Sequence, residues 1–274
     1  QSLLDGRATN WSPEKILGVM LRAEKPGGAA ERSIAIGTID MAVWDAVAKI
    51  EDKPLHAVLA QRYNGGQVLD RVECYVGGGW YEPGKGTPEL LDEIRGKLAQ
   101  GYRTMKIKVG GLSIAEDVAR VESAFQVVGS SKHLAVDANA GFDRNRALAY
   151  AKALAPYDLR WFEEPTDPLD YALLAEVAAI YAAPIGTGEN LFSTQDVRNL
   201  VTFGGLRADR DIIQIDVPQS YGIAQFARTL AMLKVDADYQ RAVVTGLPRG
   251  SDNPFFTGGT VTIDGAVIHE HRLV

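Results

Sequence analysis

From residue 72 onward, short apolar runs alternate with longer segments whose apolar residues recur at helical spacing. The short runs predict strands at Val72–Val76, Thr104–Val109, His133–Asp137, Leu159–Glu163, Ile185–Thr187, Ile212–Asp216 and Ala242–Thr245. The segments between them predict helices over Pro88–Gln100, Ile114–Val128, Arg144–Leu154, Leu169–Tyr181, Thr194–Leu200 and Ile223–Leu233. Such alternation implies a parallel sheet, and seven strands with helices between them point to a (β/α) barrel over residues 71–246. Residues 1–70 form a helical lead-in. Ser12 and Pro13 make an N-cap and first-turn pair, Ile34–Glu51 follows, and Leu55–Tyr63 stops before Asn64-Gly65-Gly66. Residues 247–274 begin as a loop. Thr260–Ile263 and Ala266–His269 flank Asp264-Gly265, a two-residue hairpin signal; this hairpin could return to the lead-in helices. No seventh helix or eighth parallel strand is legible.

Composition narrows the class. The chain has 274 residues, 46% of them hydrophobic, and a net charge of −6, which argues against a nucleic-acid footprint. A single cysteine, Cys74, excludes an internal disulfide framework and fits a reducing compartment. No apolar run approaches the ~20 residues that cross a membrane, and the first residues lack a signal-peptide pattern; a cytoplasmic location is expected. Position 1 is not methionine and need not be the start of the gene. No Gly-x-Gly-x-x-Gly turn follows the first strand, which weakens a dinucleotide-binding reading. Gly77–Gly84 is glycine-rich without a Walker lysine. It reads as a mobile active-site loop or, more simply, as a plain turn.

Three strands end in acids. Asp137, Glu163 and Glu189 are spaced by 26 residues and again by 26, about one strand, one helix and two short loops. Singly, each acid is more often a helix cap or a surface ion pair. Equal spacing at strand ends favours convergence on the edge where parallel sheets carry their sites, and hard oxygen ligands there suit Mg²⁺. Met105-Lys106-Ile107-Lys108-Val109 sets two lysines on one strand face. Near a second cation and a metal, a lysine's charged form is disfavoured, so it can act as a base. Asp137 and Asn139, two apart, could share a direction. Glu163 should face inward and Glu164 toward a loop partner. Asp216, 27 residues beyond Glu189, either continues the series or caps a loop. His56, His133, His269 and His271 are placed as packing or surface residues, and Cys74 as a core residue.

Lys-x-Lys on one strand, then Asp, Glu and Glu ending the next three, resembles the enolase superfamily in its mandelate-racemase-like branch, and within it the D-tartrate dehydratases. Glu31–Asp45, Tyr75–Gly84, Gly186–Phe192 and Gly205–Asp211 carry the likeness. It implies a modified (β/α)7β TIM-type barrel with a partial, mostly helical N-terminal cap, and a Mg²⁺-dependent lyase removing water from an acid sugar or hydroxy diacid. Asp137, Glu163 and Glu189 then match metal ligands, Lys108 the base and Lys106 its carboxylate-holding partner. Asp216 matches an aspartate paired with a catalytic histidine, while Asn139 and Asn190 become substrate-binding candidates. A racemase, an epimerase or a catalytically impaired carboxylate-binding homologue is the alternative. Two departures stand out. The family's cap strands have no counterpart here, and Thr245 stands where the family has its histidine. Threonine cannot protonate a departing hydroxyl near neutral pH. These departures fit a divergent protein, a fragment or joined segments. Apolar faces left by a partial cap lead us to expect a homo-oligomer.

Overall fold

The computed structural model describes residues 12–22, 30–68 and 74–236, together with the backbone of three strands at 241–245, 260–263 and 266–270. Three helices lead, α1 (Pro13–Met20), α2 (Ala30–Ile50) and α3 (Leu55–Tyr63). Six βα units follow: β1 (Tyr75–Gly78) and α4 (Thr87–Ala99), β2 (Thr104–Lys108) and α5 (Ile114–Val128), β3 (Leu134–Asp137) and α6 (Arg144–Leu154), β4 (Phe162–Glu163) and α7 (Tyr171–Ile180), β5 (Ile185–Thr187) and α8 (Thr194–Phe203), β6 (Ile212–Asp216) and α9 (Ile223–Asp236). Last come β7 (Arg241–Thr245), β8 (Thr260–Ile263) and β9 (Ala266–Glu270).

Local chemistry explains the starts. The Ser12 hydroxyl accepts from the Lys15 amide at the head of α1. Ser113 and Glu116 form a reciprocal capping box on α5, and Asp143 and Ser193 cap α6 and α8. Strands β2 to β5 are buried along their whole length, as parallel strands covered on both faces should be. Ile107, Val136, Phe162 and Ile213 pack outward against the helices in one large core. Tyr75, Ala135, Trp161 and Ile212 form a separate inner layer.

The strand order is β1-β2-β3-β4-β5-β6-β7-β9-β8, parallel from β1 through β7 to β9. Two sequence expectations change here. An eighth parallel strand exists, because β9 lies parallel to β7 and is reached through an antiparallel hairpin, with Ile263 opposite Ala266 across residues 264–265. Among the described residues the barrel is not closed by pairing, and β1 and β8 are the two ends of the sheet.

The lead-in helices dock on α9. Leu17 and Ile36 pack with Tyr221 and Ala224, and Asp40 Oδ2 accepts the Ala224 amide at the α9 N-terminus, 3.2 Å away. Gly37 permits this approach, for a Cβ there would sit 2.1 Å from the Pro218 carbonyl oxygen.

Candidate active site

Register brings the charged residues together. Lys108 pairs with Asp137 across β2 and β3, and Asp137 with Glu163 across β3 and β4. Each is the last residue of its strand, so three ionisable groups stand side by side at the carboxyl edge of the sheet. Lys108 Nζ donates to Asp137 Oδ2 at 2.6 Å. Lys106, two residues back on the same face, reaches Asp137 Oδ2 at 3.0 Å and also donates to Glu163 Oε1. Both lysines are buried, and Asp137 and Glu163 are more so.

Burial raises the proton affinity of Asp137, but the ammonium groups of Lys106 and Lys108 outweigh it and hold the carboxyl down to about 2. Glu163 goes the other way. Burial dominates, Lys106 offsets it only in part, and the pKa rises to about 7. For Lys106, burial lowers the pKa, but Glu163 and Asp137 outweigh it and the ammonium is held well above its ordinary range. Its nearest neighbours are these two anions.

Glu189 lies differently. Glu163 is level with Gly186, so the second interval of 26 residues overshoots the register by three positions and leaves Glu189 half-buried beyond β5. Its charge still raises the pKa of Glu163 and Glu164. Among the described residues no three His, Cys, Asp or Glu side chains stand close enough to hold a metal ion. Lysine nitrogens take up the Asp137 and Glu163 oxygens instead. The donor set nonetheless suits a hard divalent cation. Asp137, Glu163, Glu164 and Glu189 carry four carboxylates against the two ammonium groups of Lys106 and Lys108. Glu164 Oε2 is buried without a hydrogen-bond partner, and burial together with Glu189 pushes Glu164 up to about 8. A dication balances this excess of acid.

The remaining candidates take supporting places. Asn139 lies past the end of β3 at φ +48°, so strand alternation does not reach it, and its backbone amide donates to Asp137 Oδ1 at 2.8 Å. Asn190 Nδ2 donates to Glu164 Oε1 at 2.7 Å, giving Glu164 its loop partner. Asp216 Oδ1 accepts the Gln219 amide at 3.0 Å, a loop cap. Its register partner is Thr245, whose side chain lies outside the described residues. His133 Nδ1 pairs with Thr104 Oγ1 at the far edge.

Sequence reasoning passed over Trp161, whose indole nitrogen donates to Glu163 Oε2 at 2.7 Å. It lies two residues before Glu163, so the same alternation that paired the lysines could have found it. Gly186 makes room, since a Cβ there would lie 2.8 Å from the Trp161 ring. The Gly77–Gly84 loop is neither free nor plain. Glu93 accepts the Gly79 amide, and the Tyr81 hydroxyl lies 3.2 Å from the Lys108 carbonyl oxygen.

A family model described as enolase C-terminal domain-like matches residues 89–239, more than half of the chain. The chain belongs to this family. An L-talarate/galactarate dehydratase from Salmonella typhimurium is 32% identical over 221 residues, 79% of this chain and 52% of that protein. A 3,6-anhydro-alpha-L-galactonate cycloisomerase from Streptomyces coelicolor is 32% identical over 215 residues, 78% of this chain and 56% of that one. Among solved structures, L-talarate dehydratase from Polaromonas sp. JS666, complexed with Mg and L-glucarate, superposes with a TM-score of 0.72 at 27% identity, covering 87% of this chain and 64% of that chain. This chain spans about half the length of the curated relatives it matches. These matches establish the superfamily and name talarate, galactarate and anhydrogalactonate enzymes rather than a D-tartrate dehydratase.

Proposed function

We propose that this chain carries the catalytic edge of a Mg²⁺-dependent acid-sugar dehydratase, a hydro-lyase, in which Lys108 removes the proton next to a substrate carboxylate. The observation that carries the reading is the in-register row Lys108, Asp137, Glu163 at the ends of three adjacent parallel strands. Asp137, Glu163 and Glu189 would hold the cation, which polarises the substrate carboxylate when bound. Lys106, protonated between two carboxylates, is suited to hold the substrate carboxylate and the enediolate charge that develops on it. Lys108 takes the α-proton. The β-hydroxyl then leaves as water with a proton drawn from solvent, and the resulting enol tautomerises to a 2-keto acid. Trp161 fixes the Glu163 carboxylate from below, and Asn190 fixes Glu164.

Relatives named for talarate, galactarate and arabinonate support the acid-sugar class. Within that class the substrate we propose is D-tartrate, giving oxaloacetate, on the resemblance carried by Tyr75–Gly84 and Gly186–Phe192. The test is a panel of D-tartrate, galactarate, L-talarate and arabinonate scored for keto-acid formation with and without Mg²⁺. We expect Mg²⁺-dependent product from at least one, with D-tartrate first; none from any would remove the reading. A second reading keeps the proton abstraction and ends in isomerisation, as the matched cycloisomerase suggests. Deuterium entering recovered substrate with inverted configuration would select it.

A further inference from the structure

Lys108 is enclosed from two sides. Asp137 Oδ2 holds its ammonium at 2.6 Å, and the Trp80 ring centroid lies 4.4 Å from the same nitrogen. Trp80 stays 47% exposed while Lys108 is only 8% exposed, so the indole is covered on its inner face and open on its outer one. Its loop is clamped rather than draped. The Tyr81 hydroxyl donates to buried Asp117 and lies 3.2 Å from the Lys108 carbonyl oxygen, and Asp117 also accepts from the Gly110 amide and the Tyr150 hydroxyl. Arg120 stacks over the Tyr81 ring at 4.2 Å and donates to the Gly79 carbonyl oxygen. Gly111 makes the fit possible, because a Cβ there would lie 2.5 Å from the Tyr81 ring. The strand end bearing Lys108 and the loop bearing Trp80 are thus fastened through one hub at Asp117. A cavity of about 520 Å³ is lined by Tyr81, Gly111 and Arg120 among others and by none of the site carboxylates.

We propose that Trp80 is a specificity-determining residue. Its indole walls the solvent side of Lys108, and the carbon chain of the hydroxy-carboxylate lies against that wall. Tyr81 and Asp117 are positioning residues that hold the wall in place. The substrate half of this statement rests on the dehydratase reading above, while the wall itself does not. An aromatic face suits the C–H edges of a polyhydroxy acid while leaving its hydroxyls to polar groups.

The test uses the full chain and the variants Trp80→Ala, Trp80→Phe and Tyr81→Phe. Reductive methylation with formaldehyde and cyanoborohydride, mapped by mass spectrometry, reads access to Lys108 without any substrate. We expect Lys108 to react several-fold faster in Trp80→Ala, close to the parent rate in Trp80→Phe, and at an intermediate rate in Tyr81→Phe. Equal rates in the parent and Trp80→Ala would overturn the wall, whatever the enzyme acts on. Steady-state kinetics then read specificity. In Trp80→Ala, KM for the preferred acid sugar rises about tenfold with a smaller change in kcat, the order of preference among tartrate, galactarate and talarate changes, and Trp80→Phe restores both. An active parent with unchanged KM and preference in Trp80→Ala would overturn the specificity role. A parent inactive on every acid sugar would remove the dehydratase reading and the substrate half with it, while the labelling still decides the wall.

Discussion

The two edges of the sheet hold buried ion clusters of similar make-up and opposite character. At the amino edge, just before β6, Asp211 is wholly buried and Arg207 wraps it. The Arg207 amide and guanidinium donate to both Asp211 oxygens at 2.6–2.8 Å, and the same guanidinium caps the Tyr181 and Ala183 carbonyl oxygens. Asp211 in turn accepts the Ile185 amide at the start of β5. Each oxygen has its donors, and the result is a staple between strands. At the carboxyl edge, Glu163 and Glu164 keep raised proton affinities despite Lys106 and Asn190, and one Glu164 oxygen has no partner. Evidence of function lies in that contrast. A satisfied cluster serves the fold, whereas an under-satisfied one is held ready for something else to bind.

Mutations should separate the edges, and the largest effect belongs to the carboxyl one. Lys108→Ala is expected to lower keto-acid formation by about 10²–10⁴ in a chain that still folds, with a lower urea midpoint because buried Asp137 loses one of its two ammonium partners; retention of full turnover would unseat Lys108 as base. Next in size is Asp211→Ala, which leaves the half-buried Arg207 guanidinium without its anion and the Ile185 amide without its acceptor. It should cost about 2–4 kcal/mol of stability, seen as a shifted urea midpoint. A midpoint unchanged from the parent would show the staple to be ornamental.

Glu164→Gln should act in the reverse sense. The folded pKa of Glu164 is raised from 4.5 to about 8, so its contribution to stability is complete below about pH 4.5 and is lost as pH climbs toward 8. In metal-free buffer the variant should lose that decline and be more stable than the parent at pH 8 by about 1–3 kcal/mol. Urea titrations at pH 5 and pH 8 would show it, and parallel curves for parent and variant would count against the burial cost. Smallest is Gly186→Ala, whose new methyl would press on the Trp161 ring. A stability loss of about 1–3 kcal/mol is expected, with a change in Trp fluorescence; neither change would mean that the ring has room to yield.

Much of this was legible in the chain because it depends on short-range periodicity. Lys106 and Lys108 share a face by the two-residue alternation of any strand, and the interval from Asp137 to Glu163 equals one βα unit in perfect register. Caps such as Ser113 and Asp143 announce their helices by residue type alone. What failed did so where the period broke. Asn139 left the alternation because β3 ends at Asp137 and the chain turns into positive φ. Glu189 overran its level because β5 stops at Thr187. The hub at Asp117 on α5 joins the loops after β1 and β2 to α6, and no local pattern encodes Tyr81, Gly110 and Tyr150 meeting one carboxylate. The parallel placement of β9 was hidden by a hairpin signal that describes only its pairing with β8.

The contact between α2 and α9 limits how far this protein can be cut down. Because Asp40 supplies the acceptor for an amide at the head of α9, excising the first 50 residues would strip a barrel helix of its anchor as well as removing an accessory piece. A minimal catalytic core therefore has to include α2, and the lead-in and the barrel should melt as one cooperative unit.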